Sequence, residues 1–251
     1  MSTGLRSRSA IVADAVDGVT RCRVLRSSPP VSVRATPGAV YLVGSAAGPV
    51  GGDDVALEVV VGEGARLRVR SAAATLAFPG SSGPAHLRHS VDVGPGASLE
   101  WLTEPTVLVR GCDLRSTSRI RLAAGAGVVW RQEVVLGRHA EPTGSLSDRF
   151  AVDLDGRPLL RHELAIGPQW PGWNGPTGVG SARIVASLLL AGPPALATAP
   201  ATALAAIHAG ATAGVRVACL ALEADAVLVV ALGPGIRAVR SALDPVISNC
   251  R

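Results

Sequence analysis

Three similar stretches decide the fold of this chain; they read VVVGEGARL (59–67), VDVGPGASL (91–99) and IRLAAGAGV (120–128). In each, a run that includes β-branched residues leads to a glycine and an alanine, and a leucine or valine follows two positions later. The repeated glycines are 32 and 29 residues apart, and a fainter fourth copy, VDLDGRPLL, begins at Val152. A regular period of this length is typical of stacked structural repeats.

The repeated glycines predict turns between strands, because glycine reaches the positive φ angles of tight turns at no steric cost. Apolar residues alternate with polar ones around Gly64, as at Val59 and Val61 before it and Leu67 after it, which is typical of strands with one buried face. We therefore predict a β-hairpin in each copy, with turns at 62–64, 94–96 and 124–127.

The expected fold is mostly β, with stacked β-hairpin layers in a superhelical, solenoid-like arrangement over about residues 10–167. An ordinary β-sandwich with similar hairpins is the alternative. The last third of the chain, about residues 181–251, predicts two to three short helices, and we interpret 1–251 as one domain. The expected C-terminal elements are helices at 181–191 and 200–209, strands at 215–222 and 226–232, and a final helix at 236–243 that stops before Pro245.

Composition limits the class of protein. Hydrophobic residues make up 48% of the chain and aromatic residues 3%, so Val, Leu, Ala and Ile must fill the core. The four cysteines form no CxxC pair and the N-terminus lacks an apolar signal-peptide core, so a cytoplasmic location is the default expectation. The charge-free stretch from Ile184 to Val215 contains three prolines, and its apolar run is too short for a membrane span.

All 24 basic residues are arginines, and the formal net charge is +5. Residues 1–50 hold six arginines and two aspartates, a net charge of +4, but these arginines are scattered and have no aromatic residues interleaved among them. Because a nucleic-acid footprint is a basic cluster on one face, nucleic-acid binding is not expected.

Signatures of common enzymes are absent: the chain has no GxSxG, HExxH or GxxxxGK[ST] motif. Gly233, Gly235 and Ala238 fit a GxGxxA pattern, but the thirteen residues that follow are too few for a dinucleotide-binding βαβ unit. His86 and His89 are three positions apart, which on a strand places them on opposite faces. We interpret both as solvated histidines rather than as a metal-binding pair.

Glu100, Glu104 and Glu133 are the strongest candidate functional residues, because they lie in or beside strongly apolar strands. A charge in such a strand must face solvent, a partner, an arginine or a polar channel. We predict that Glu100 and Glu133 face an interior polar channel or a partner surface, with Asp53 near one mouth. Replacement by alanine would then leave the fold intact. Ion pairing, for example between Glu133 and Arg131 or Arg138, is the alternative, and replacement would then destabilise the chain.

Five motifs occur in an order that resembles the UreD/UreH family of urease accessory proteins. They are Gly51-Gly52-Asp53, GEGARLRVRSAAAT (62–75), GASLEWLTEPTVL (96–108), RIRLAAGAGVVWRQEVVLGR (119–138) and VDLDGRPLLRHEL (152–164). The match covers about residues 38–167, with a looser likeness near the C-terminus. The sequence departs from the family pattern at Thr103 and Glu104, where proline and glutamine are usual, and at Glu141-Pro142, where the family carries Gly-Glu.

The resemblance implies a mostly-β superhelical fold and a non-enzymatic scaffold or chaperone in urease maturation. Such a protein would bind the urease apoprotein and the accessory proteins UreF and UreG and would assist nickel insertion. No cofactor would be held stably, and Ni²⁺ would pass in transit, for which weak oxygen and imidazole ligands are suited. The residues assigned to a nickel path or partner contact are Asp53, Glu100, Glu104, Glu133, Arg138, His139 and Glu141.

Two other functions are compatible with the residues alone. A β-solenoid carbohydrate-active enzyme would use Asp53, Glu100 and Glu133 if two of these carboxylates lay about 5–10 Å apart. Against it, the chain has seven aromatic residues in all to serve as sugar platforms. A purely structural β-module is the other alternative, and co-purification with urease components would separate the three.

Overall fold

The computed structural model describes residues 4–192, 214–224 and 226–248, in which two sheets enclose an apolar core. The strands of the first sheet are β1 (Arg6–Val16), β2 (Val19–Arg26), β5 (Asp54–Val61), β8 (Ala85–Val93), β11 (Asp113–Leu122), β13 (Ser145–Leu154) and β14 (Arg157–Ile166). Those of the second sheet are β3 (Val31–Thr36), β4 (Ala39–Gly44), β6 (Arg66–Ser71), β7 (Thr75–Ala77), β9 (Ser98–Leu102), β10 (Thr106–Leu108), β12 (Gly127–Val135), β15 (Ile184–Ala191), β16 (Arg216–Ala221) and β17 (Val227–Gly233). A helix, α1 (Ile236–Ser248), follows β17.

Successive copies of the repeat stack in parallel. In the first sheet β1, β5, β8, β11 and β13 pair in parallel, and antiparallel strands β2 and β14 close its two edges. In the second sheet β4, β6, β9 and β12 pair in parallel, and β15, β17 and β16 extend the sheet antiparallel. The predicted mostly-β, solenoid-like arrangement is confirmed.

The predicted turns are confirmed, but the predicted hairpins are wrong for the first three copies. The strands on either side of Gly64 belong to different sheets, so the turn is an arch between sheets rather than a hairpin. Gly64 has a φ of 65°, and its N–H donates to the Pro95 carbonyl of the next arch at 3.0 Å. The alanine after each glycine is buried between the sheets, as at Ala65. The strands of each copy therefore pair with those of the next copy, not with each other.

The fourth copy does form a hairpin. β13 and β14 pair antiparallel in the first sheet. Asp155 and Gly156 at their turn both have positive φ, 48° and 72°, which is the conformation of a type I′ turn. Asp17 and Gly18 join β1 to β2 in the same way, with φ of 51° and 74°.

The helix predicted at 181–191 is wrong, because the segment forms β15 in the middle of the second sheet. Leu189 and Ala191 face the core between the sheets, whereas Leu188 and Leu190 pack in a second cluster with α1. A strand buried on both faces shows no alternation, and its apolar run matches a buried helix equally well. The helix predicted at 200–209 lies outside the described residues.

The remaining C-terminal predictions are confirmed, with one correction. Strands β16 and β17 and helix α1 occur where they were expected, but α1 continues through Pro245 to Ser248. Val246 and Ile247, which follow Pro245 in the helix, are buried. Their apolar packing therefore outweighs the loss of one helical hydrogen bond at proline. No helix within the described ranges is both long and apolar enough to cross a membrane.

Candidate functional site

The carboxylate of Asp53 is buried and is held by the backbone. The N–H groups of Leu5 and Val50 each donate to it at 2.8 Å, and its own backbone N–H donates to the Val50 carbonyl at 2.9 Å. These bonds close the Gly51-Gly52 turn that leads into β5. Asp53 therefore has a structural task, and its predicted place near a channel mouth stays a prediction.

Glu100 lies on the face of β9 opposite to the core residue Trp101. Its carboxylate pairs with Arg70 and lies 3.9 Å from the Nε of Arg68, which is its neighbour on β6. The side chain keeps 13% of its surface exposed. The structure thus favours the ion-pair alternative for Glu100. Its predicted role in a nickel path stays a prediction.

Glu133 and Glu104 meet through one arginine of helix α1. Arg240 donates from Nε to both oxygens of Glu133 at 3.0 and 3.1 Å, and from Nη2 to Oε2 of Glu133 at 2.6 Å. It also donates to the two oxygens of Glu104, from Nη2 at 3.0 Å and from Nη1 at 3.3 Å. One guanidinium therefore bridges two carboxylates, one in β12 and one just after its neighbour β9.

A second arginine extends this arrangement. The Nε of Arg131 lies 3.5 Å from Glu133, so Arg131 is the partner, whereas the other predicted partner, Arg138, pairs with Glu141. The Nη1 of Arg131 donates to Asp244 at 3.3 Å. We call the five residues Glu104, Glu133, Arg131, Arg240 and Asp244 the α1 charge network. The Glu133 side chain has no exposed surface and that of Arg131 has 8%, whereas Asp244 is 57% exposed. Burial lowers the pKa of Arg131, and the hydrogen bond to Glu133 raises the pKa of Arg240.

Arg138, His139 and Glu141 lie on a separate loop after β12. Arg138 donates to both oxygens of Glu141 at 2.8 and 2.9 Å, and this pairing lowers the pKa of Glu141 to about 2. Arg183 donates to the Arg138 carbonyl at 2.7 Å and so holds the loop against β15. His139 is exposed beside them. This loop therefore forms a surface apart from the α1 charge network.

A cavity of about 370 Å³ is lined by residues of both sheets, among them Glu104 and Glu133. The carboxylate of Glu133 itself lies on the face of β12 opposite to Trp130, where it bonds to Arg240 of α1. His89 also lines the cavity, with its ring against Trp101 at a centroid distance of 5.2 Å, and Nδ1 lies 3.1 Å from the Ser118 hydroxyl. Burial lowers the pKa of His89 to about 4. His89 is half-buried, with its ring against Trp101 and Trp130, so the prediction of a solvated histidine is wrong. Its predicted separation from His86 across the strand holds.

Asp148 on β13 is the most unusual polar residue of this cavity. It is 7% exposed, Ser116 hydrogen-bonds with it, and its Oδ1 has no partner among the described residues. Burial raises the pKa of its carboxyl group. Asp148 is not among the residues predicted from the sequence, although its alternation with Leu146 and Phe150 places it on the inward face of β13.

The outer face of the first sheet is rich in arginine. β1 and β2 bring Arg8 and Arg26 beside Arg88 and Arg119 around a surface pocket that Glu58 also lines. Arg8 and Arg88 share Asp54 as a partner. No described carboxylate lies within 4.0 Å of Arg26 or Arg119. Arginines that are scattered in sequence thus form one cationic face.

The seven predicted residues do not form one centre. Within the described ranges, no group of three or more His, Cys, Asp or Glu residues is arranged to hold a metal ion. Glu104 and Glu133 share the cavity and Arg240, whereas Glu100, Asp53 and the Arg138–Glu141 loop lie elsewhere.

Comparisons with known proteins agree on one family. Residues 6–251 match a family model described as UreD urease accessory protein. The chain is 42% identical to a urease accessory protein UreD 3 of Streptomyces griseus, over 97% of this chain and 95% of that protein. It is 40% identical to a urease accessory protein UreD of Parafrankia sp., over 96% of this chain and 88% of that protein, and 38% identical to one of Streptomyces coelicolor, over 98% and 97%.

Proposed function

Since the chain belongs to the UreD family of urease accessory proteins, we propose that it is a non-enzymatic scaffold for urease maturation. It binds the urease apoprotein together with UreF and UreG and assists the insertion of nickel. Ni²⁺ is cargo in this role, not a resident cofactor. The family membership supports a part in urease maturation, and the partners and the nickel step are the proposal.

The observation that carries the nickel step is the cavity between the sheets. Glu104 and Asp148 are among the residues that line it, and carboxylate oxygens are adequate but weak ligands for Ni²⁺. A path needs ligands that release the ion, so a cavity without a closed three-ligand cage suits passage better than storage. His89, kept neutral at physiological pH by its burial, adds an imidazole to the wall.

Partner binding is supported by two exposed surfaces. The cationic face of the first sheet suits a carboxylate-rich protein surface, because charge complementarity directs protein association. Nucleic acid fits less well, since Asp54 and Glu58 lie among these arginines. The Arg138–Glu141 loop, with exposed His139, is the second surface.

The arrangement gives little support to a carbohydrate-active enzyme. Asp53 is held by two backbone N–H groups, Glu100 by Arg70, and Glu133 by Arg240. A general acid or base must reach the substrate, and none of these three carboxylates faces an open cleft with free oxygens.

Co-expression tests the proposal. The full chain carrying an affinity tag is produced with urease structural subunits, UreF and UreG, and the captured complex is analysed for its components and for nickel. We expect capture of urease and accessory proteins, with active, nickel-loaded urease. Glu104→Gln is expected to lower the nickel content, because Glu104 lines the cavity and is 39% exposed, whereas the matched surface change Glu163→Gln leaves it unchanged. Full urease activity in cells that lack this chain would overturn the proposal.

A further inference from the structure

The outer face of the first sheet carries two neighbouring rows of residues that run across its strands. In the first row long charged side chains alternate with short ones, in the register Arg8, Ala56, Arg88, Thr117, Arg149 and Glu163. In the second row the register is Arg26, Ala10, Glu58, Ser90, Arg119, Ala151 and Arg161. On β1, β5, β8, β11 and β13 a charged member of one row lies beside a short member of the other. The arginines therefore stand apart in a zigzag, with short side chains between them.

We propose that six arginines of these rows bind an extended acidic segment of a partner protein, which lies across the strands. We call them the arginine band: Arg8, Arg26, Arg88, Arg119, Arg149 and Arg161. The partner is defined by its chemistry, a stretch of chain that carries two or more carboxylates. This inference rests on the proposed scaffold role and adds to it what one of the bound partners must present.

The positive charge of the chain is concentrated in these two rows. They hold six arginines and two glutamates, a net charge of +4, whereas the whole chain has a formal net charge of +5. Asp54 pairs with Arg8 and Arg88, and Asp153 pairs with Arg161. With these two aspartates included, a net charge of +2 remains on the face. Charge complementarity therefore favours a partner surface with an excess of carboxylates.

Two arginines of the band are free to pair with a partner. Arg26 and Arg119 are exposed and have no carboxylate within 4.0 Å among the described residues, unlike the other four. They lie four strand spacings apart in one row, about 19 Å. An extended segment rises about 3.3–3.6 Å per residue, so about six residues span this distance. Glu58 lies midway between the two arginines and repels a small anion at the centre.

The floor between the arginines leaves room for a bound chain. Ala56, Ser90 and Thr117 line the surface pocket that the arginines surround. Their short side chains form a low floor, and the two hydroxyl groups can hydrogen-bond to the backbone of a segment. Nucleic acid fits less well, because its charge recurs at every phosphate and so meets Glu58. An acidic segment can place its carboxylates beside the arginines alone.

Binding of a deca-glutamate peptide to the full chain tests the inference without urease. The tagged chain is immobilised at low density on a biosensor, and the peptide and a single-stranded DNA of equal length are passed over it at low and at high salt. We expect the peptide to bind at low salt and to be released at high salt, because salt screens exposed charges. The DNA is expected to bind more weakly than the peptide.

Two double variants decide whether the arginine band is the site. Arg26→Gln combined with Arg119→Gln should weaken peptide binding about tenfold, because two exposed ion pairs are lost. Arg66→Gln combined with Arg237→Gln is the matched control. It removes the same net charge from two exposed arginines outside the band, so it should leave binding unchanged.

Glu58 gives a test in the opposite direction. Glu58→Gln should tighten peptide binding, because it removes the negative charge at the middle of the row, whereas Glu63→Gln, also at an exposed residue, should not. Thermal unfolding checks that each variant keeps the fold. Arg26→Lys combined with Arg119→Lys retains both charges and should keep most of the binding, and it decides the question if the glutamine variant does not fold.

The outcomes separate the inference from the proposed function. Equal weakening by the two arginine-to-glutamine pairs would mean that net charge alone attracts the peptide, and the inference would be wrong. Tighter binding of the DNA through Arg26 and Arg119 would also overturn it, as would a wild type that does not bind the peptide at low salt, even if the chain still captures urease. Conversely, peptide binding that depends on Arg26 and Arg119 would stand even if cells without this chain made fully active urease.

Discussion

Replacing Glu133 by alanine is expected to destabilise the chain by about 3 kcal/mol. The Glu133 side chain has no exposed surface and faces two arginines, Arg240 at 2.6 Å and Arg131 at 3.5 Å. Removing one partner of a buried ion pair costs about 3–5 kcal/mol, because a desolvated charge is left behind. The lower end applies here, since Asp244 still contacts Arg131 at 3.3 Å and Arg240 keeps Glu104.

Thermal and denaturant unfolding of the purified chain measure this effect. In a chain of this size about 1 kcal/mol corresponds to about 2–4 °C in melting temperature, so the expected fall is about 6–12 °C. Glu163→Ala is the control, because Glu163 is 47% exposed and pairs with Arg149 at 3.3 Å. An exposed pair contributes at most about 1 kcal/mol. If the two variants melted within 2 °C of each other, about the precision needed to separate these ranges, the reasoning from burial would be refuted.

Three other predictions concern solubility, pH and partner binding. The isolated chain is expected to be poorly soluble and to be rescued by co-expressed UreF; a monomer that ignores UreF in size-exclusion runs would contradict this. Burial lowers the pKa of His89 to about 4, so the unfolded chain binds its proton first and stability falls as pH decreases from about 6.5 to about 4. His89→Gln should flatten the melting-temperature profile in that window. Arg26→Glu combined with Arg119→Glu should weaken the capture of partners. The measurement is the amount of partner retained by the variant and by the wild type at equal chain concentration.

The positions of the turns were predictable from the sequence, but not whether each turn joins strands of one sheet or of two sheets. Gly64, Gly96 and Gly125 turn the chain between sheets, whereas Gly156 turns it within a sheet. The hairpins β1–β2 and β13–β14 have an Asp-Gly pair in which both residues adopt positive φ, as at Asp155-Gly156, and this twist suits antiparallel neighbours. The β3–β4 hairpin instead turns at Pro37-Gly38. The arches have a glycine followed by a small alanine that fits between the sheets.

The helix predicted at 181–191 was wrong for a physical reason that the composition of the segment does not reveal. Ile184–Ala191 is apolar at every position except Ser187, so it carries no period that distinguishes strand from helix. What decides the segment is tertiary: β12 and β17 offer unpaired edges on both sides, and α1 covers the outer face. A window of sequence cannot contain those neighbours, and the tertiary environment overrides local spacing.

The candidate site also depends on residues that are far apart in the sequence. Glu104 and Glu133 were identified because charges stand out in apolar strands, yet the residue that joins them, Arg240, lies 107 positions beyond Glu133 in the sequence. α1 did carry a signal: Arg240 and Asp244 are one turn apart and flank the buried Val239 and Leu243. Charges at the border of an apolar helical stripe face the same strands that the stripe covers, so a carboxylate in one of those strands is their natural partner. We therefore expect carboxylates in such strands to pair with arginines at the border of the apolar stripe of the C-terminal helix. The sequences of related chains can test this expectation.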